Sequence, residues 1–100
     1  MPFETPTERQ EHFDKHRYEF DNPPSTEQEY EQKADNFMSK PLTWTMVEGQ
    51  HVLGGRVRLD MLTREFGCTK LNGFVVTYFI ANPAIHGKNS NLEYFRDYCV

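Results

Sequence analysis

The hydrophobic positions change period once along the chain, near Pro41, and the elements predicted from them change with it. Before Pro41, apolar residues recur every three or four positions. Phe13, His16 and Phe20 share one face at i, i+3, i+7, which predicts a helix of about thirteen residues opened by Thr7 and Gln10 as a capping box. Asp21-Asn22-Pro23-Pro24 stops it, because neither proline continues a helix. A second capping box, Ser25 with Gln28, opens a second helix whose stripe is Tyr30, Ala34, Phe37 and Met38, ending near Ser39-Lys40-Pro41. Residues 1–6 read as an extended arm fixed by Pro2 and Pro6.

After Pro41 the period shortens to two. Leu42 to Val47 is rich in strand formers, and Glu48-Gly49-Gln50-His51 reads as a turn. Arg56 to Met61 alternates charged and apolar residues, which predicts a strand with one buried face and with Arg56, Arg58 and Asp60 on the other. Phe66–Leu71 and Phe74–Ile80 flank Asn72-Gly73, which predicts a type I′ hairpin. Pro83 to Gly87 reads as a loop, and Ser90 or Asn91 caps a short closing helix through Leu92, Tyr94, Phe95 and Tyr98. Two helices, roughly four antiparallel strands and a short helix make an α+β fold, a single domain over residues 1–100 with helices on one face of the sheet.

Composition narrows the class. Only 37% of residues are hydrophobic, but eight Phe, five Tyr and one Trp supply large buried areas. The longest apolar stretch, Phe74 to Ala81, is strand-sized and broken by Thr77, so no membrane span is expected. The N-terminus is acidic and unlike a secretory signal. Cys68 and Cys99 form no CxxC or Cys/His cluster and are expected to be reduced thiols. The net charge of −4 is uneven: residues 1–40 hold ten Asp and Glu against five Lys and Arg, and the rest five against six. A nucleic-acid partner would therefore need a local basic cleft.

The candidate chemistry begins with histidine. His12 and His16 stand at i, i+4, which is also zinc-ligand spacing, but Phe13 replaces the glutamate of an HExxH motif and no third ligand is apparent. No metal or cofactor is called for. There is no GxSxG, no phosphate-binding glycine loop and no CxxC. His16 between Phe13 and Phe20 suits a packed core histidine as well as a catalytic one, and arginines on a strand's polar face suit solvent as well as phosphate. Together, however, a histidine, arginines and hydroxyls fit RNA cleavage. RNA carries its own nucleophile, the 2′-hydroxyl, so the protein need supply only an acid–base group and donors to the phosphate. Arginine gives two-pronged phosphate contacts, and an aromatic such as Trp44 or Tyr78 offers a stacking surface for an unpaired base.

The order of motifs resembles one family. His12 to Phe20 is similar to an HFxKHGxEF element, and Thr26 to Phe37 to a following xxEYxxxAxxF helix. Arg58 to Cys68 resembles RYDxxTxEFGV, Gly73 to Pro83 resembles GxIxTxFxP, and His86 to Phe95 resembles HGxxxNLEYF. The chain thus resembles the barnase/EndoU/colicin/RelE-like nuclease domains found at the C-termini of contact-dependent inhibition and other polymorphic bacterial toxins, and on some prophage head proteins. The resemblance implies helices followed by a four-stranded antiparallel sheet, and a metal-independent ribonuclease, commonly aimed at tRNA and neutralised by a cognate immunity protein. It implies His16 as general base or acid, Arg58 as phosphate ligand and Thr77 as phosphate donor. Lys15, Glu19 and Tyr78 are its supporting residues, with His86 or Tyr94 for the second acid–base role. Such a domain, a monomer when free, would belong to a secreted or cell-surface toxin acting in the target-cell cytoplasm; the alternative is a cytoplasmic protein. Three positions depart from the pattern: Arg17 stands for Gly, which would let the helix run on regularly past His16, Leu59 replaces an aromatic, and Pro83 falls late after Thr77.

Two other functions remain. A phage or regulatory module could keep the fold as a non-catalytic binder, which the negative charge favours. A metal-dependent DNase would use His12, His16 and acidic neighbours.

Overall fold

A computed structural model describes residues 3–52 and 54–99, so Pro2 of the expected arm lies outside the described residues. Helix α1 spans Pro6–His16, and Arg17–Glu19 tightens into a 3-10 turn. Helix α2 spans Glu27–Ser39. Strands β1 (Met46–Gln50), β2 (Arg56–Asp60), β3 (Glu65–Thr69) and β4 (Val75–Ile80) follow, then short helices α3 (Pro83–His86) and α4 (Asn91–Asp97). The four strands form one antiparallel sheet in chain order, so the α+β class expected from the pattern is the observed one.

The helix starts fall close to the predicted caps but not on them. Thr5, not Thr7, caps α1 by accepting from the Glu8 N–H at 3.1 Å, because Pro6 has no N–H to lose and sits at the first helical position. Thr26, not Ser25, caps α2 by accepting from Glu29, whose carboxylate accepts in return from the Ser25 N–H at 2.8 Å. Arg17 does not prolong α1; the chain tightens there instead. Ser90 caps α4 as expected.

The register of β1 also moves. Residues 42–44 are exposed and the strand begins at Met46, because pairing of Met46 with Asp60 and Gln50 with Arg56 decides it rather than local strand propensity. Glu48, Gly49 and Gln50, expected in a turn, are therefore strand. The β3–β4 connection is not type I′. Lys70 accepts from the Gly73 N–H at 2.8 Å and donates to the Phe74 carbonyl at 3.1 Å, leaving a three-residue loop in which Gly73 alone has positive φ, 91°. The loop expected at Pro83–Gly87 is α3: Asn82 caps it, Pro83 starts it and Gly87, at φ 79°, ends it.

Helices cover both faces of the sheet, not one. On the first face, α1 and α2 pack Phe13, Tyr30, Ala34, Phe37 and Met38 against Val75 and Tyr78. The close seat of α2 depends on Gly67 of β3, where an added Cβ would lie 2.8 Å from the Met38 sulfur. On the second face, Phe95 of α4 joins Val57, Leu59, Phe66, Cys68 and Ala81. The edge of β4 is closed by Phe3, which bridges Val75 in parallel and donates its N–H to Glu31 at 3.1 Å.

Two-sided cover changes the meaning of the charged positions on β2. Arg58 is 4% exposed and lies under the end of α2. Its Nη1 donates to the carbonyls of Phe37 at 3.0 Å and Lys40 at 2.6 Å, and its Nε donates to Glu48 at 2.9 Å. It satisfies carbonyls that a helix end leaves open, where a cation also complements the helix dipole. Arg58 is thus a buried helix clamp, and the phosphate role expected of it is corrected. Tyr78 is likewise a core residue. It is fully buried between Tyr30 and Phe37; its hydroxyl donates to Glu65 and its carbonyl accepts from the Tyr30 hydroxyl. Tyr78 therefore offers no stacking surface, whereas Trp44 is 94% exposed and does, though it stands outside the cavity described below. No helix among the described residues is long and apolar enough to cross a membrane.

Candidate active site

A cavity of about 570 Å³ opens where α1 lies along the β4 edge and faces α3 and α4. Side chains alternate along β4, so Thr77 and Phe79 face this side while Tyr78 faces the core. Six of the eight expected site residues line the cavity: Lys15, His16, Glu19, Thr77, His86 and Tyr94. Arg58 and Tyr78 do not.

His16 sits at the junction of α1 and the 3-10 turn. Residues three apart eclipse one another in a 3-10 helix, and the tightened turn brings Glu19 back over the imidazole. The His16 Nδ1–H donates to Glu19 Oε2 at 2.7 Å, and Glu19 Oε1 accepts from the Ile80 N–H at 3.1 Å. The carboxylate is therefore fixed to β4 and fixes the ring in turn. With Nδ1 engaged, Nε2 carries the lone pair or the exchangeable proton. The ring is 7% exposed and stacks on Phe79 at 5.1 Å on one side and on His12 at 5.8 Å on the other.

The remaining expected residues differ in what they can do. Lys15 is exposed at the rim and is the only Lys or Arg among the described lining residues. The Thr77 hydroxyl lies 3.5 Å from His12 Nδ1, at the limit of a hydrogen bond. His86 has both nitrogens occupied. Its Nδ1 accepts from the Lys88 N–H at 3.1 Å, so Nε2 bears the proton and donates to Asn91 Oδ1 at 2.9 Å, while Asn91 in turn donates to the Ala81 carbonyl. Tyr94 stacks on His86 at 4.3 Å and shares a hydroxyl hydrogen bond with Tyr98. Burial, then the Tyr98 hydroxyl, raises its phenol above the usual range. His86 and Tyr94 thus form a wall and are poorly placed for the second acid–base role.

Sequence reasoning weighed His12 only as a metal ligand. The structure seats it in this cavity, between Phe3 at 5.2 Å and His16. The signal was available, since i and i+4 share a helix face. Cys68 floors the cavity as a thiol pushed up to about 12 by burial, and both cysteines are free. Among the described residues, no three His, Cys, Asp or Glu side chains are grouped to hold a metal ion.

The buried histidines make the fold acid-sensitive. Burial, and then the charges of His16 and Lys15, lower His12 from its ordinary 6.5, and burial lowers His51. The unfolded chain therefore binds these protons first. The stability they contribute is full above 6.5 and falls as pH drops through that value toward the folded-state values. Asp60 adds to the same trend at lower pH. Burial would raise it, but the N–H groups of Leu62 and Thr63 hold it below 3.8. The urea midpoint should fall steadily from pH 7.5 to pH 5 (about the histidine window), and His12→Gln with His51→Gln should flatten the decline. A midpoint that stays level in wild type would show that neither ring is penalised for its charge.

No family model matches the chain. No curated protein matches it either.

Proposed function

We propose that this chain is a ribonuclease domain that cleaves RNA by attack of the 2′-hydroxyl on the adjacent phosphorus. The observation that carries the reading is His16, oriented by Glu19 at 2.7 Å, in one cavity with Lys15 and Thr77. A carboxylate-held imidazole with a free Nε2 is suited to proton transfer. As O2′–P forms and P–O5′ breaks, the 2′-hydroxyl proton goes to a base and O5′ takes a proton from an acid. The products are a 2′,3′-cyclic phosphate and a 5′-hydroxyl. Lys15 and the Thr77 hydroxyl donate to the non-bridging oxygens, and the Phe79 and Tyr94 rings give a base an apolar wall. The substrate class is tRNA or another cellular RNA. The resemblance of the motifs adds the biological setting, a toxin domain acting in a target cell and blocked by an immunity protein.

The withdrawal of Arg58 from the cavity and its largely aromatic walls favour a second reading, a non-catalytic binding module. Incubating the protein with total bacterial RNA, with and without EDTA, separates them. Cleavage that EDTA leaves intact, with cyclic phosphate ends, supports the ribonuclease. Intact RNA moves the assignment to the binding module, and cleavage stopped by EDTA to a metal-dependent nuclease.

A further inference from the structure

We propose that His12 is the second acid–base residue of this centre, sharing one phosphate with His16. The inference rests on the ribonuclease reading above. One helix sets both rings, since His12 and His16 are successive turns of α1. Their centroids lie 5.8 Å apart with the planes 27° from parallel. Phe3 closes the outer side of the stack at 5.2 Å and Phe79 the inner side at 5.1 Å, so neither ring swings without displacing a packed neighbour. Both rings line the cavity that holds Lys15 and Thr77. In-line cleavage needs one group at the attacking oxygen and another at the leaving oxygen, and two imidazoles at this spacing can reach both.

Their surroundings divide the labour. His16 has a carboxylate, Glu19, against Nδ1. His12 has no such partner among the described residues. On α1 it faces His16, Lys15 and the exposed Glu11. From the strands it meets the Thr77 hydroxyl, and it shares the cavity with the Cys68 thiol. Across the cavity stand His86, with both nitrogens bonded, and the hydroxyls of Tyr94 and Tyr98. From the described residues of the arm it meets the Phe3 ring. Burial, then the neighbouring His16 and Lys15, lower His12 from its ordinary 6.5 and suit it to be the base, which leaves the acid's part to the other ring, the one held by Glu19. Two imidazoles in such unlike surroundings are suited to opposite roles. His12 accepts the 2′-hydroxyl proton, and His16 donates its Nε2 proton to O5′ as the P–O5′ bond breaks.

The test uses wild type, His12→Gln and His16→Gln on an oligoribonucleotide with either the normal 5′-oxygen or a bridging 5′-sulfur at the scissile bond. A thiolate leaves without a proton, so sulfur removes the need for the acid alone. Wild type should give a bell-shaped pH profile. His12→Gln should lose about 10²-fold or more on both substrates, together with the acidic limb. His16→Gln should lose as much on the oxygen substrate, recover on the sulfur one, and lack the alkaline limb. Wild-type activity retained by His12→Gln, or sulfur rescue of His12→Gln in place of His16→Gln, overturns the inference and leaves the ribonuclease reading standing. No cleavage by wild type overturns both. Proton NMR titration covers misfolding of a variant: in wild type the two imidazoles should each sense the other's protonation, and independent single-site curves would overturn the pairing.

Discussion

Arg58→Ala should cost about 3 kcal/mol of folding stability while leaving RNA cleavage per folded molecule unchanged. The guanidinium is buried and makes three hydrogen bonds, to Phe37, Lys40 and Glu48. Removing it leaves two carbonyls at the end of α2 unsatisfied and takes from the Glu48 carboxylate its buried cation, leaving the more exposed Arg56 at 3.3 Å. The cost is the desolvation of groups left behind, which exceeds what such a bond contributes net. Lysine would not rescue it, because one ammonium cannot reproduce a fork that reaches a side chain and two carbonyls at once. Urea unfolding measures the first half and cleavage normalised to folded protein the second. A stable Arg58→Ala that has lost cleavage would return Arg58 to the phosphate.

His16→Ala should lower RNA cleavage by about 10²–10⁴-fold, the usual worth of a positioned acid–base group, with the fold retained. Its side chain fills a gap between His12 and Phe79, so truncation should also cost about 2 kcal/mol of stability. His16→Gln keeps most of that volume and should recover stability without recovering rate. Glu19→Gln is expected to act through His16: the amide has one oxygen, which accepts from either the Nδ1–H or the Ile80 N–H but not both, so it no longer fixes which ring nitrogen bears the proton. Circular dichroism and urea melts beside the cleavage assay separate the two effects. Full activity in folded His16→Ala would remove the histidine from the chemistry.

The order of elements was legible because long periodic segments report their own type. The details that failed were those decided by contacts distant in sequence. The alternation in Arg56–Asp60 correctly marks a strand, yet it cannot say that α2 will cover the charged side. Arg58 therefore looked available when it was already spoken for by Phe37 and Lys40. Tyr78 failed for a related reason: along β4 only parity separates it from Thr77 and Phe79, and the direction of each face depends on where α1 and α2 dock. Thr5 and Thr7 both precede a Gln or Glu by three, and only Pro6 distinguishes them. Of the site, His16, Glu19, Lys15 and Thr77 do meet, whereas the 3-10 turn that makes Glu19 useful has no clear signature in the sequence. His12 shares the helix face of His16 at i, i+4, a spacing that suits a metal ligand and an acid–base pair alike.

The cavity is built from segments far apart in translation order. His12 meets Thr77 across 65 positions and Glu19 meets Ile80 across 61, and the Tyr94–Tyr98 wall comes later still. At about 5–20 residues per second, a ribosome that has made His16 needs on the order of several seconds to supply the rest. Through that interval the segment of α1 has neither the Ile80 N–H to anchor Glu19 nor the Phe79 ring to pack on. A cell making a ribonuclease of this design would carry the growing polypeptide beside its own RNA with no assembled centre, and would meet the enzyme only once residues 91–98 had been added and folded back.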